Sequence, residues 1–436
     1  MTLREHLRKN ILLATPVMVG QLGHIMVSVA DSVMVGRVGV IPLAASTFAG
    51  TFFYVLMLFG IGVSYAITPV VAATDRSDKP RLLSFLQSGL MMNVVLGIIL
   101  LLLGLLASNF LEYFGQQEQV VQAGRPYLVI VSLSLFPIMI FQTFRQFSEG
   151  QSDTLSPMIV SIVANLLNVG LNYLLIYGKF GFEPMGLNGA GIATLISRIA
   201  MALLIVWLIR KKCQGFKWKF DPIIIKRLLK IGVPSGMQYI FEVGAFATAA
   251  IMVGWISAEA LAAHNIALNL SAITYMAATG LAAAATIRVG NQVGLKDKRN
   301  LRVAGFSIMA LVTVFMAICG ILLIIFRGFL PALYIEDLEV KSIASALIII
   351  AAAYQIPDGL QAVGLGVLRG LTDVKIPTIV TFVSFWIIAI PLGYFLAFPL
   401  GMGVNGVWYG LCVGLTLASI FHIWRFNRLT NQLEFD

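Results

Sequence analysis

Three carboxylates stand where the chain is otherwise apolar. Of twenty Asp and Glu residues, only Asp31, Glu242 and Asp358 fall inside long apolar stretches. The twelve residues before Tyr354 carry no charge, and none lies between Asp358 and Arg369. Glu242 is twelve residues past Lys230 and thirteen before Trp255; Asp358 is seventeen past Lys341 and eleven before Arg369. At a helical rise of about 1.5 Å per residue, both sit near the middle of a ~30 Å apolar layer. Asp31 lies nearer the end of its stretch. A charged side chain facing lipid at such depth costs roughly 3 kcal/mol or more, so these acids must face something polar. Two carboxylates in one low-dielectric cavity cannot both stay charged cheaply. A proton, or a dehydrated Na⁺ with further oxygen ligands, relieves that cost. Tyr354, one turn before Asp358 on the same helix face, offers a hydroxyl, and Pro357 leaves a backbone carbonyl without its helical donor. Glu242, Asp358 and Tyr354 are therefore the expected cation site, a place for Na⁺ or H⁺; Asp31, near a helix end, either has a functional role or reaches the interface.

Other polar residues in apolar surroundings are weaker candidates. Asn168 and Asn172, one turn apart in "NLLNVGLNYLLIYG", either line a substrate cavity or bond helix to helix. His24 sits deep in its stretch, as a buried hydrogen-bonded residue or as a group that titrates. His264 is expected near the outer end of its span. Arg198 is the one base inside an apolar stretch and pairs with an acid or a carbonyl. Seventeen Met and 28 Phe suit either an adaptable cavity for flat, greasy ligands or plain lipid-facing packing. Cys213, Cys319 and Cys412 are far apart, which argues for packing roles over a disulfide framework or thiolate metal site.

The elements that must carry these residues are membrane helices. The chain is 59% hydrophobic and 11% charged, against about a quarter charged in soluble domains. Twelve apolar spans are expected at 11–35, 43–71, 82–108, 122–147, 155–178, 187–210, 228–255, 260–284, 301–326, 340–368, 375–399 and 403–426. The turns between them leave no room for a soluble catalytic domain. With the N-terminus inside, 24 Lys and Arg face the cytoplasm and five face outward (Arg37, Arg125, Lys179, Arg327, Lys341). That asymmetry places both termini in the cytoplasm. The net charge of +10 is therefore a membrane signal, not one for nucleic acid. The first span follows a basic start but is too long for a signal peptide. No GxxxxGK[ST], HExxH or nucleophile elbow occurs, so no enzyme chemistry is expected.

The sequence is also written twice. A shift of 218 residues brings Pro16 onto Pro234, Met34-Val35-Gly36 onto Met252-Val253-Gly254, and Leu43-Ala44-Ala45 onto Leu261-Ala262-Ala263. A shift of 220 brings Pro137, Gly150, Asp153 and Pro157 onto Pro357, Gly370, Asp373 and Pro377. Two six-helix lobes are expected, 1–215 and 216–436, in parallel orientation because six is even, with a central path between them. The three acids break the duplication: Glu242 aligns with His24, Asp358 with Ile138 and Asp31 with Ala249. The matched segments "EGQSDTLSP" and "RGLTDVKIP" are expected to be turns followed by helix starts.

"VADSVMVGRVG", "LAAHNIALN" and "YQIPDGLQAVGLGVLRGLTD", in this order across essentially the whole chain, resemble the MATE family of multidrug and toxic-compound extrusion transporters. Glu242 with Asp358 resembles the NorM-like branch, which implies that they bind the coupling cation with Tyr354 coordinating it and Asp31 contributing. The DinF-like branch has Asn and Asp where this chain has Asn168 and Asn172, a departure from a purely N-lobe, proton-driven mechanism. The resemblance implies an all-α fold with a MATE-like repeat. It implies a monomer in the inner membrane, exporting organic cations and drugs against entering Na⁺ or H⁺, with no cofactor beyond that ion. The alternative within the superfamily is a lipid or lipid-linked sugar flippase. A lone intramembrane base, Arg198, favours cationic or neutral cargo over an anionic headgroup.

Overall fold

Short polar residues cap several of the helix starts. Asp78 accepts from the N–H of Arg81 (3.1 Å), Asp297 from Asn300 (2.9 Å), Asp337 from Val340 (2.9 Å) and Ser257 from Ala260 (3.0 Å). Each satisfies a donor that a helix start leaves unpaired. The computed structural model describes residues 2–216, 218 and 220–434. Lys217 and Lys219, part of the basic segment between the halves, lie outside the described residues.

Twelve helices among the described residues are long and apolar enough to cross a membrane: α1 (Leu3–Gly36), α2 (Val40–Ala72), α3 (Lys79–Ser108), α4 (Glu118–Gly150), α5 (Leu155–Tyr177), α6 (Gly186–Ile209), α7 (Pro222–Gly254), α8 (Ala258–Gly294), α9 (Lys298–Phe326), α10 (Leu338–Gly370), α11 (Lys375–Ala397) and α12 (Gly403–Gln432). Their number, order and all-α class are those read from the sequence. The ends differ. α1 begins at Leu3, α8 runs to Gly294 and α12 to Gln432, because polar residues prolong a helix past the apolar run that reveals it. Two buried charges beyond the expected ends are therefore intrahelical: Glu149, which pairs with Arg145 at 2.7 Å inside α4, and Arg288, buried inside α8. Three helices are also interrupted. α2 turns at Tyr65 and Ala66, α4 at Ser134, and α11 is π-helical over Val383–Ala389.

The chain packs as two compact units, one of residues 19–236 and the other of 1–18 with 237–436. The divisions fall inside α1 and α7. Both cuts lie at one position of the repeat, 218 residues apart. Close crossings account for this. In the first unit, a Cβ on Gly62 would lie 2.6 Å from Gly236 Cα, so the opening of α7 docks against α2. In the second, a Cβ on Gly280 would lie 2.9 Å from the Met18 backbone N, so the opening of α1 docks against α8. Gly62 and Gly280, like Met18 and Gly236, are again 218 apart.

A buried polar cluster ties the start of α1 into the second unit. Arg288 donates to His6 Nδ1 (2.8 Å) and Asn10 Oδ1 (3.2 Å), and Asn10 donates to Ser307 Oγ (3.0 Å). Arg has no acceptor, so His6 Nδ1 accepts and its Nε2–H donates to Asn300 Oδ1 (3.0 Å). The apolar core of this unit runs along α8, α9, α10 and α12.

Candidate cation site

One face of α10 builds the site. Tyr354, Gln355, Asp358 and Gln361 follow one another at helical spacing, and all four are buried. A polar stripe cannot face lipid without cost, so it turns toward α7 and α8. From α7 comes Glu242, also buried. Its Oε1 accepts from the Tyr275 hydroxyl of α8 at 2.7 Å, and its Oε2 accepts from Gln361 Nε2 at 3.3 Å. Asp358 lies within electrostatic reach of Glu242, and its carboxyl has no hydrogen-bond partner among the described residues. Gln355 Oε1 accepts from the Thr274 hydroxyl at 3.0 Å.

The surroundings fix these groups. Tyr354 stacks on the buried Trp408 ring, with centroids 5.6 Å apart and planes at 29°. Trp408 Nε1 donates to His264 Nδ1 at 3.0 Å. The Tyr354 hydroxyl lies within electrostatic reach of Asp358. In the π-helical part of α11, Trp386 Nε1 donates to the carbonyl of Phe241, next to Glu242 (2.9 Å). Gly244 lets that ring lie close, since a Cβ there would sit 3.0 Å from it. A π-helical turn widens a helix locally and often marks a functional site.

Glu242, Asp358 and Tyr354 are thus brought together in one unit. Tyr275, Gln361, Trp408 and Trp386 complete the surroundings and were not singled out in the sequence. Among the described residues no cluster of three or more His, Cys, Asp or Glu side chains exists. Two carboxylates with neutral oxygens suit a hard monovalent ion or a proton, not zinc.

The other unit holds a second constellation. Asn172 Nδ2 donates both to Asp31 and to Asn168 Oδ1 (3.1 Å for the latter), joining α5 to α1. Among the described residues Arg198 finds neither an acid nor a carbonyl at hydrogen-bond distance. It donates to the Ser134 hydroxyl (2.8 Å) where α4 is interrupted, and its guanidinium covers the Phe53 ring at 4.7 Å. His24 is half-buried and makes no hydrogen bond among the described residues, so its expected bonded burial is not found. All three cysteines are free and partly buried.

Residues 16–174 and 234–395 match the MatE family model. The two matches begin at the repeat-related Pro16 and Pro234. The chain is 32% identical to the probable multidrug resistance protein NorM of Rhizobium meliloti, across 98% of this chain and 95% of that one. It is 35% identical to the protein of the same name from Rhodopseudomonas palustris, across 98% and 93%. Its fold is similar to the crystal structure of the eukaryotic MATE transporter AtDTX14, with a TM-score of 0.86 at 21% identity, covering 99% of this chain and 97% of that one.

Proposed function

This chain belongs to the MatE family, whose members are transporters and not enzymes, and from that premise we propose that it exports lipophilic organic cations and drugs in exchange for entering Na⁺ or H⁺. The observation that carries this reading is the buried pair of Glu242 and Asp358. Glu242 is held by two donors, while Asp358 has none among the described residues. An arrangement so costly without a cation suits a site that fills and empties during work. Asp31, held by Asn172, is a second coupling position. The names of the NorM relatives support drug-like cargo. Export follows if ion and cargo favour different arrangements of the lobes, so that an ion gradient biases which arrangement is populated. The charge asymmetry of the loops supports cytoplasmic termini in the inner membrane.

The test is efflux of a cationic dye from proteoliposomes, with Na⁺ and H⁺ gradients imposed separately. Asp358→Asn and Glu242→Gln keep size and hydrogen bonding but remove charge. Each is expected to cut gradient-driven efflux at least ~10-fold, the equivalent of about 1.4 kcal/mol of lost ion binding. Full efflux by both variants moves the site elsewhere, with Asp31 next in line. Movement of a lipid-linked substrate with no dye movement replaces the drug reading with a flippase.

A further inference from the structure

Gln361 is the polar group of this site that cation coupling by Glu242, Asp358 and Tyr354 leaves unused. It is fully buried and lies one turn beyond Asp358 on α10. Its Nε2 donates to Glu242 Oε2 at 3.3 Å. A carboxylate only accepts, so this bond fixes which end of the amide faces Glu242. The other end, Oε1, is buried and has no hydrogen-bond partner among the described residues. Buried carbonyl oxygens are almost always partnered. Gln355, on the same stripe, is turned the opposite way: Thr274 occupies its oxygen, and its unpartnered atom is Nε2, a donor that cannot ligate a cation.

The geometry points to Gln361 Oε1 as a ligand for Na⁺ that H⁺ does not require, and so to Gln361 as the residue that decides which ion couples. This rests on the reading of Glu242 and Asp358 as the ion site. A proton is accommodated by one carboxylate oxygen and one acceptor. A Na⁺ ion stripped of water needs several oxygens to replace its shell, and neutral carbonyls serve that purpose. Two carboxylates and the Tyr354 hydroxyl supply part of the set. The Gln361 carbonyl adds a ligand without burying a third negative charge.

The experiment uses the full-length protein in proteoliposomes, with dye efflux measured against rising Na⁺ and, separately, against an imposed H⁺ gradient. Gln361→Met is close in shape but has neither oxygen nor amide. It is expected to raise the half-saturating Na⁺ concentration roughly tenfold or more, the scale of one interaction with a charged group, a larger factor than the fall in H⁺-driven efflux that follows from the lost donation to Glu242. Gln361→Glu keeps an oxygen but loses the donation to Glu242 and adds a third buried acid, and is expected to lose less of the Na⁺ response than Gln361→Met. If Gln361→Met does not fold, Gln361→Asn, which withdraws the oxygen by one methylene, takes its place with the same expectation. Equal loss of both drives, equal failure of the Met and Glu variants, or an unaltered protein indifferent to Na⁺ each overturns the inference, leaving Gln361 as a support for Glu242. Asp358→Asn run alongside separates the two levels. If it keeps both drives, the ion-site reading itself falls; if it loses them while Gln361→Met keeps its Na⁺ response, only the role of Gln361 falls.

Discussion

Trp408 makes two contacts behind the proposed ion site. Its ring backs Tyr354, and its Nε1–H occupies His264 Nδ1, whose Nε2 is already without a partner. Trp408→Ala should destabilise the protein by about 3–5 kcal/mol through the cavity it leaves. It should also weaken the Na⁺ response, because Tyr354 loses its backing. Trp408→Phe keeps a ring under Tyr354 but strands His264, at a cost of about 1–3 kcal/mol. Thermal unfolding in detergent ranks the three proteins; a Phe variant that melts with the unaltered protein would mean the indole bond adds nothing. Glu242, Asp358 and Tyr354 were legible in the sequence because a charge in an apolar run is conspicuous. Tyr275 and Trp408 were not, since an aromatic residue in an apolar run looks like filler until the facing helix is known. Gln361 stood in plain view three residues after Asp358, yet nothing in the sequence says that its oxygen is left over. Arg198 shows the converse. Its presence was legible, but its partner was not, because Ser134 becomes available where α4 is interrupted.

The segments between elements repeat more faithfully than the helices do. After α4 the backbone turns through Ser152 at φ 65°, and after α10 through Thr372 at φ 59°. These positions are 220 residues apart. Each is followed by an Asp that pairs with a base: Asp153 with Lys212, just past the end of α6, and Asp373 with Arg425 of α12 through two bonds, one of 3.0 Å. Asp153 also accepts from the N–H of Ser156 at 3.1 Å, which fixes the start of α5. The turn followed by a helix start was legible from Gly, Asp and Pro alone; the left-handed residue was not, because neither Ser nor Thr advertises it. A β-branched residue is poorly suited to that conformation. The strain is about 1–2 kcal/mol, and glycine's extra chain entropy offsets about 0.5–1. Thr372→Gly should therefore stabilise the protein by roughly 0.5–1 kcal/mol, read as a higher melting temperature, with efflux unchanged. Thr372→Val, which keeps the branch and loses the hydroxyl, should not gain.

At the scale of the whole molecule, the repeat was legible and its consequence for packing was not. Hydropathy shows α1 and α7 as single apolar runs, and nothing in such a run marks where it passes from one compact unit to the other. The mark is in the glycines that meet it, Gly62 for α7 and Gly280 for α1. A fragment ending at residue 215 should leave the Gly62 face of α2 uncovered, whereas one ending at 240 should cover it. Limited proteolysis of the two fragments in membranes should cut α2 faster in the shorter one; equal rates would show that the crossing adds no protection. The same crossing gives biosynthesis a direction. The first half cannot finish packing when its own six helices have left the ribosome, because it waits for residues 222–236. Residues 3–18 emerge long before they can be covered, since Gly280 and Arg288 follow them by more than 260 residues. At ribosomal speeds that is a delay on the order of tens of seconds, during which His6 and Asn10 stand exposed to whatever meets a nascent chain.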